Sequence, residues 1–126
     1  MIKRIFIAGA LLCMLGVVFG AFGAHGLRGK VTAGDLENWK TAVEYQIFHG
    51  LGLLFLSHAK LSGKTLNTVF SAFLFGVILF SGSLYFLSTR SLTGFPASIL
   101  GPLTPLGGLL LIIGWGVLIA GAIRAQ

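Results

Sequence analysis

The chain has 126 residues, of which 56% are apolar and only 10% are Asp, Glu, Lys or Arg. Soluble domains carry about 25% charged residues, and a soluble protein this small must cover a large surface with polar groups. The composition therefore argues against a soluble enzyme, a disordered tail and a secreted disulfide-rich module. It predicts a single integral membrane domain over residues 1–126.

The charge distribution also favours a membrane protein. Nine Lys and Arg residues against three acids give a net charge of +6. The cations flank the apolar stretches, as at membrane edges, and do not form the basic stripe of a nucleic-acid interface. We therefore expect contacts with membrane lipids and none with nucleic acid. The lone cysteine, Cys13, excludes an intrachain disulfide.

Four apolar segments are long enough to cross a bilayer, which takes about 20 residues. They cover residues 5–27, 41–59, 67–87 and 103–123. The runs are continuously apolar and do not alternate, which favours helices over transmembrane strands. The predicted fold is all-α, a four-helix transmembrane bundle with short loops.

The first segment follows Lys3 and Arg4 and has features of a secretory signal, with residues 21–24 as a possible cleavage region. Its apolar run is longer than the 7–15 residues of a signal core. We therefore expect the first helix to be retained. A lipoprotein anchor at Cys13 is disfavoured because the preceding Leu12 is bulky for such a site.

The second and fourth segments have distinct expected beginnings. Thr32 and Asp35 are candidate N-caps of the second helix, and a start near Asp35 places Trp39 in the aromatic belt. The fourth helix is expected to open at Thr104 and Pro105. Its free N–H groups and positive end would then face the neighbouring polar side chains.

Orientation and packing follow from the same segments. With the N-terminus inside, five cations lie on the cytoplasmic side and four outside, so the positive-inside rule favours cytoplasmic termini by one charge. Small residues let membrane helices approach closely. Gly16, Gly20 and Ala24 form such a ridge on the first helix, and Gly116 and Ala120 form one on the fourth, which predicts a tight bundle.

Polar side chains are expected to gather in one layer, on the side opposite the termini, because consecutive spans run in opposite directions. Ionisable groups inside a membrane are costly and by default suggest a functional site, although such a cluster can also simply hold helices together. The candidate polar cluster consists of His25, Glu44, Tyr45, Gln46, His49, Ser81, Ser83, Tyr85 and Thr104.

Three chemistries fit this cluster poorly. A bis-histidine haem needs two imidazoles at similar depth, and His25 and His49 differ in depth by roughly 12 Å if the second helix starts at Thr41. A metal site needs three or four convergent ligands, but the three histidines are spread over both sides of the membrane. A hydrolase would need Ser81, His49 and Glu44 in one array, and no motif supports it. We expect no catalytic residue, metal or cofactor.

Several motifs of the chain together resemble a known family. They are Gly20-Ala21-Phe22-Gly23-Ala24-His25, Trp39, Glu44-Tyr45-Gln46 with His49, Phe80-Ser81-Gly82-Ser83-Leu84-Tyr85, and Thr104-Pro105-Leu106-Gly107-Gly108 with Gly114-Trp115. Over nearly the whole chain they resemble the YgdD/YwdK-like family of small multi-pass inner-membrane proteins of unknown function. The resemblance implies a bacterial plasma-membrane protein that keeps all four spans, and it implies no activity, cofactor or catalytic residue.

Two functions remain open. The first is a structural, accessory or partner-binding membrane component, not an enzyme, whose polar cluster locks the helices. The alternative is a small transporter, or a binder of a proton, solute or lipid headgroup, that uses Tyr45, Glu44, His49 and the start of the fourth helix. Four short helices rarely enclose a pathway, so the alternative implies a homo-oligomer. A closed, hydrogen-bonded core around His49 and Glu44 favours the first function, and a wet cleft favours the second.

Overall fold

The computed structural model describes residues 1–125, and they fold into helices with short connections. No strand occurs in this part of the chain, so the prediction of an all-helical protein is confirmed. The first helix continues without a break into one π-helical turn, Gly23–Leu27. The α-helices are α1 (Lys3–Phe22), α2 (Ala33–Leu56), α3 (Gly63–Ser88), α4 (Arg90–Thr93) and α5 (Ala97–Arg124).

Three segments of the described chain are helices long and apolar enough to cross a membrane. They are Lys3–Leu27, Gly63–Ser88 and Ala97–Arg124, at the places of the first, third and fourth predicted spans. The second predicted span lies within α2 and the residues just after it. The helix α2 is not among the three, and Glu44, Gln46 and His49 interrupt its apolar sequence.

Two of the helices begin at side-chain caps. Thr32 Oγ1 accepts a hydrogen bond of 3.1 Å from the Asp35 backbone N–H, so Thr32 is the N-cap of α2, as one of the two predicted alternatives proposed. Ser62 Oγ accepts in the same way from the Thr65 N–H at 3.2 Å and caps α3.

The start of the last long helix was predicted wrongly. It begins at Ala97, after a break formed by Gly94 in the left-handed region (φ +72°) and by Pro96. Thr104 and Pro105 therefore lie two turns inside α5 and do not present free N–H groups at a helix end. An internal proline removes one hydrogen bond to the preceding turn, but membrane helices tolerate this loss where neighbouring groups compensate.

The long helices pack side by side in chain order, α1 against α2, α2 against α3 and α3 against α5. Glycines set the closest approaches. A Cβ atom on Gly9 of α1 would lie 2.7 Å from the Gly50 carbonyl oxygen of α2, and one on Gly107 of α5 would collide with the Phe80 backbone of α3. The absence of side chains at these points lets the backbones touch.

The predicted small-residue ridges are only partly used for packing. A Cβ atom on Gly16 would collide with Ile47 of α2, whereas one on Gly20 would find ordinary contact and one on Gly116 open space. The tight contacts of the bundle come mainly from glycines outside those ridges.

The apolar core lies toward the end of the molecule that holds the termini. It consists of Ile5, Leu53, Leu56, Leu66, Val69, Phe73, Val77 and Leu111. At the same end, the Ile2 backbone N–H donates to the Ser57 carbonyl at 2.8 Å, which ties the start of α1 to the end of α2. Most of the interhelical polar contacts lie farther along, toward the opposite end.

Candidate functional site

Six of the nine predicted cluster residues meet in the interior and join the helices by hydrogen bonds. We call this set, with Trp115, the polar network. Its members come from α2, α3 and α5, and each bonds a group on another helix. The network residues are Gln46, His49, Ser81, Ser83, Tyr85, Thr104 and Trp115.

Gln46 connects three helices. Its side-chain Nε2 donates to the Leu12 carbonyl of α1 at 2.9 Å, and its Oε1 accepts from the Tyr85 hydroxyl of α3 at 2.6 Å. Gln46 is only 3% exposed. Because an unpaired amide in an apolar interior costs free energy, these two bonds fix where α1 and α3 lie around α2.

Tyr85 reaches Gln46 because helical side chains point back toward the N-terminus of their helix. Its ring packs against Trp39 and Phe19, with centroids 4.5 and 5.1 Å away. Trp39 is itself buried and donates from Nε1 to the Phe19 carbonyl at 2.8 Å. Trp39 therefore faces the bundle and joins α1 to α2, and its predicted place at the membrane interface stays a prediction.

His49 uses both ring nitrogens. Nδ1 lies 2.7 Å from the Tyr45 carbonyl oxygen, and a carbonyl only accepts, so Nδ1 carries the hydrogen. Nε2 then accepts from Trp115 Nε1 at 3.0 Å, which links α2 to α5. The Trp115 N–H can only donate, so the arrangement is complementary to the neutral imidazole. His49 is 5% exposed, with Phe73 edge-on at 5.0 Å.

Ser81 and Ser83 form different kinds of hydrogen bond. Ser83 Oγ donates to the Phe80 carbonyl one turn back, at 2.9 Å, and lies 2.6 Å from Thr104 Oγ1 of α5. Ser81 Oγ crosses to α2 and donates to the Ala42 carbonyl at 2.7 Å, with Ser81 1% exposed. Among residues 1–125, no buried side-chain nitrogen or oxygen lacks a hydrogen-bond partner.

The other three predicted residues do not join the polar network through their side chains. His25 is exposed in the π-helical turn. Tyr45 is 39% exposed and packs its ring on Phe80, and only its backbone carbonyl bonds His49. Glu44 is exposed on the outer surface, half-way along α2. The structure thus separates the predicted cluster into a closed interior part and an outer part.

Glu44 differs from the other two acids of the chain. Asp35 accepts from Arg90 Nη1 at 2.7 Å, and Glu37 pairs with Lys40 at 3.3 Å. Within residues 1–125, Glu44 forms neither a salt bridge nor a hydrogen bond. It borders a groove of about 180 Å³ between α1 and α2, which is also lined by Gly20, Gly23, Ala24, Trp39, Lys40 and Val43. Lys40 bonds Glu37 and not Glu44.

The arrangement does not provide a catalytic array. Ser81 bonds a backbone carbonyl, His49 bonds Trp115 and a carbonyl, and Glu44 faces outward, so the three do not act on one another as nucleophile, base and orienting group. In the described part of the chain, no group of three His, Cys, Asp or Glu residues is placed to hold a metal ion.

Sequence reasoning missed two of the contacts that join the helices. Trp115 was not among the predicted cluster residues. It is 43% exposed, but an indole N–H in apolar surroundings needs an acceptor, which was a signal for a partner such as His49. The Asp35–Arg90 pair was also missed. Both residues fall in the two predicted connections at one end of the bundle, and their opposite charges were the available signal.

A family model and individual similar proteins both identify a family of membrane proteins of unknown function. The family model described as "Protein of unknown function (DUF423)" matches residues 19–108. A UPF0382 membrane protein of Staphylococcus epidermidis is 45% identical over 97% of both chains. The UPF0382 membrane protein YwdK of Bacillus subtilis is 43% identical over 97% of this chain and 98% of its own. No solved structure matches the chain.

Proposed function

We propose that this chain, which belongs to the DUF423 family, is a rigid four-span scaffold of the bacterial plasma membrane. The similar proteins are named as membrane proteins, and their names give no biochemical role. In this proposal the polar network locks the helices, and the outer face of α2 around Glu44 binds a partner membrane protein. The resemblance to the YwdK-like family is confirmed.

The position of α2 supports a fourth span. It lies antiparallel to α1, with Gly50 against Gly9 near one end and Trp39 against Phe19 near the other. A helix bonded along the length of a membrane-spanning neighbour crosses the same depth. Its outer face is also apolar, since Phe48 is 58% exposed and Phe55 80%. At 1.5 Å per residue, its 24 residues extend about 36 Å, enough to span.

Labelling of introduced cysteines tests this topology and the orientation. In a Cys13→Ser background, single cysteines at Lys30 and Lys60 are treated with a membrane-impermeant maleimide in intact cells. Four spans with cytoplasmic termini predict labelling at residue 30 and none at residue 60 before lysis. Labelling of both positions would contradict the four-span proposal, and labelling at residue 60 alone would reverse the orientation.

One observation supports a structural role for the interior. Every buried side-chain nitrogen and oxygen atom in residues 1–125 has a hydrogen-bond partner. A binding or transport site keeps polar groups available for its ligand, whereas Gln46, His49 and Ser81 are 5% exposed or less and are bonded to neighbouring helices. Such groups act as interhelical ties in lipid. We accordingly propose no catalytic activity and no cofactor for this interior.

Glu44 is the residue that supports the proposed partner-binding role. A carboxylate on the outside of a membrane helix is costly, and such residues usually pair with an opposite charge or face another helix. Glu44 has no partner within the described chain and lies beside a groove with small residues, where a second helix can approach closely. We propose a partner helix with a basic or hydrogen-bonding side chain at this depth.

Recovery of partners from native membranes tests the proposal. Affinity purification with quantitative mass spectrometry is compared for the wild type, Glu44→Gln and the control Glu37→Gln, whose acid is exposed and paired with Lys40. We expect Glu44→Gln to lose one or more membrane proteins at least ten-fold while the control keeps them. Equal recovery from both variants, or loss from both, would contradict a partner site at Glu44.

An oligomeric transporter of protons or small solutes is the second candidate, and the same unpaired Glu44 is the observation that favours it. In that case the partner at the groove is another copy of the chain, and Glu44 lines a shared path. Purified protein in vesicles would then carry protons or solute across the bilayer in a way that Glu44→Gln abolishes. Vesicles without such transport would leave the scaffold as the better account.

A further inference from the structure

A second opening in the molecule lies far from Glu44, at the end of the bundle that holds the termini. There α3 and α5 border a cavity of about 470 Å³, within the range of small-molecule sites. Its polar lining consists of Ser62, Lys64, Thr65, Thr68 and Arg124. The site does not depend on the proposed partner role of α2.

The floor of this cavity is formed where the two helices meet. Gly121 of α5 lies so close to Thr65 of α3 that a Cβ atom on the glycine would collide with the threonine methyl group. The Ser62 and Thr65 hydroxyls bond each other at 2.9 Å. The opening is therefore an exposed recess between the start of α3 and the end of α5.

The electrostatics of the recess are cationic. In residues 1–125, Lys64 and Arg124 form no ion pair, and neither side chain makes a hydrogen bond. The acids of the chain lie elsewhere, since Asp35 and Glu37 are in the first turns of α2, at the opposite end, and Glu44 is half-way along it. The nearby chain adds further cations at Lys3, Arg4 and Lys60.

We propose that this recess binds a phosphate group, carried either by an anionic lipid headgroup or by a soluble phosphate. Arg124 offers a planar guanidinium that matches phosphate oxygens, and Lys64 offers a point charge from the other helix. The Thr68 hydroxyl supplies a neutral donor on the same wall. The ends of two candidate spans lie at the headgroup level, where juxtamembrane cations attract anionic lipids.

Titration of the full-length protein in phosphatidylcholine nanodiscs tests the site. The probes are phosphatidylglycerol and inorganic phosphate, with bound molecules counted by native mass spectrometry. The charge variant is Lys64→Gln with Arg124→Gln, and its matched control, Arg28→Gln with Lys30→Gln, removes two exposed cations at the other end. A third variant, Thr68→Phe, fills the recess without changing charge. Thermal unfolding of each variant verifies that it is folded.

We expect the charge variant to weaken phosphatidylglycerol binding about thirty-fold, Thr68→Phe to weaken it several-fold, and the control to change it less than two-fold. Saturable binding of inorganic phosphate that displaces the lipid would identify a soluble phosphate as the ligand, and lipid binding that phosphate does not displace would identify the headgroup. Equal losses in the charge variant and its control, or no effect of Thr68→Phe, would overturn the site.

Discussion

The two faces of α2 carry polar side chains at nearly the same level of the helix but in opposite environments. The residues of each face are spaced at positions i, i+4, i+7 and i+11, a spacing that places them on one side of an α-helix. The inner face carries Ala42, Gln46, His49 and Leu53, all buried, and the outer face carries Glu44, Phe48, Leu51 and Phe55, all exposed.

The contrast shows that position along the helix axis and direction around the helix are separate properties. Gln46 is bonded to both neighbouring helices, whereas Glu44, two residues away, has no partner in the described chain. The inner face therefore joins α2 to its neighbours, whereas the proposed partner role rests on the outer face. Substitutions matched between the two faces test this division.

Overpacking of the inner face should have the largest effect. Gly50→Leu places a side chain where even a Cβ atom would lie 2.8 Å from Cys13 Sγ and 3.0 Å from the Gly9 carbonyl oxygen. We expect a loss of about 3 kcal/mol of stability, measured by thermal unfolding in detergent. Gly34→Leu, at an open position of the same helix, is the control. Equal midpoints for the two variants would contradict close packing of α1 on α2.

Removing the cations that pair with Asp35 and Glu37, near the start of α2, should give the next largest difference in stability. Asp35 is buried beneath Arg90, whereas the Glu37–Lys40 pair is exposed. Arg90→Gln leaves a buried carboxylate unpaired and should cost about 2 kcal/mol, less than for a fully buried pair because Arg90 is partly exposed. Lys40→Gln should change stability by less than about 0.5 kcal/mol. Similar costs for both, in urea or thermal unfolding, would show that the two pairs are equivalent.

The His49–Trp115 contact should show coupling between helices. His49→Phe removes the acceptor of the Trp115 N–H, at a cost of about 1 kcal/mol. Adding Trp115→Phe removes the orphaned donor as well, so the double variant should be more stable than the sum of the single losses predicts. A double-mutant cycle by thermal unfolding measures this difference. Strict additivity would mean that the bond contributes nothing.

The smallest effect is expected at Ser83 and Thr104, because Ser83 keeps an alternative acceptor in the Phe80 carbonyl. A cycle of Ser83→Ala and Thr104→Val should give a coupling of about 0.6 kcal/mol, typical of hydrogen bonds between membrane helices. A coupling above 2 kcal/mol would mean that the α3–α5 contact, and not α2, is the main polar tie of the bundle.

The features of the fold that depend on segment length, hydropathy and local capping could be predicted from the sequence. All-helical character, the positions of three of the four predicted spans and the Thr32 cap, one of two predicted candidates, follow from local chemistry, as the structure confirms. The sequence also predicted that Gln46, Ser81 and Tyr85 lie near one another, because depth can be counted along antiparallel helices at 1.5 Å per residue.

The direction of each side chain was not predictable in the same way. In a soluble helix the polar face marks the outside, but α2 has large apolar residues on both faces, such as Leu53 inside and Phe55 outside. Nothing in the pattern therefore distinguishes Gln46 from Glu44. The start of α5 was misjudged for a related reason, since Pro105 ends helices in water but is accommodated inside this one.

The most direct test of the division between the faces is the thermal unfolding of Gln46→Leu and Glu44→Leu in the same micelle. Gln46→Leu deprives the Tyr85 hydroxyl and the Leu12 carbonyl of their partner and should lower the midpoint by several degrees. Glu44→Leu removes an unpaired acid from an apolar surface and should leave the midpoint unchanged or raise it. Equal decreases in both variants, or a decrease for Glu44→Leu alone, would contradict the account.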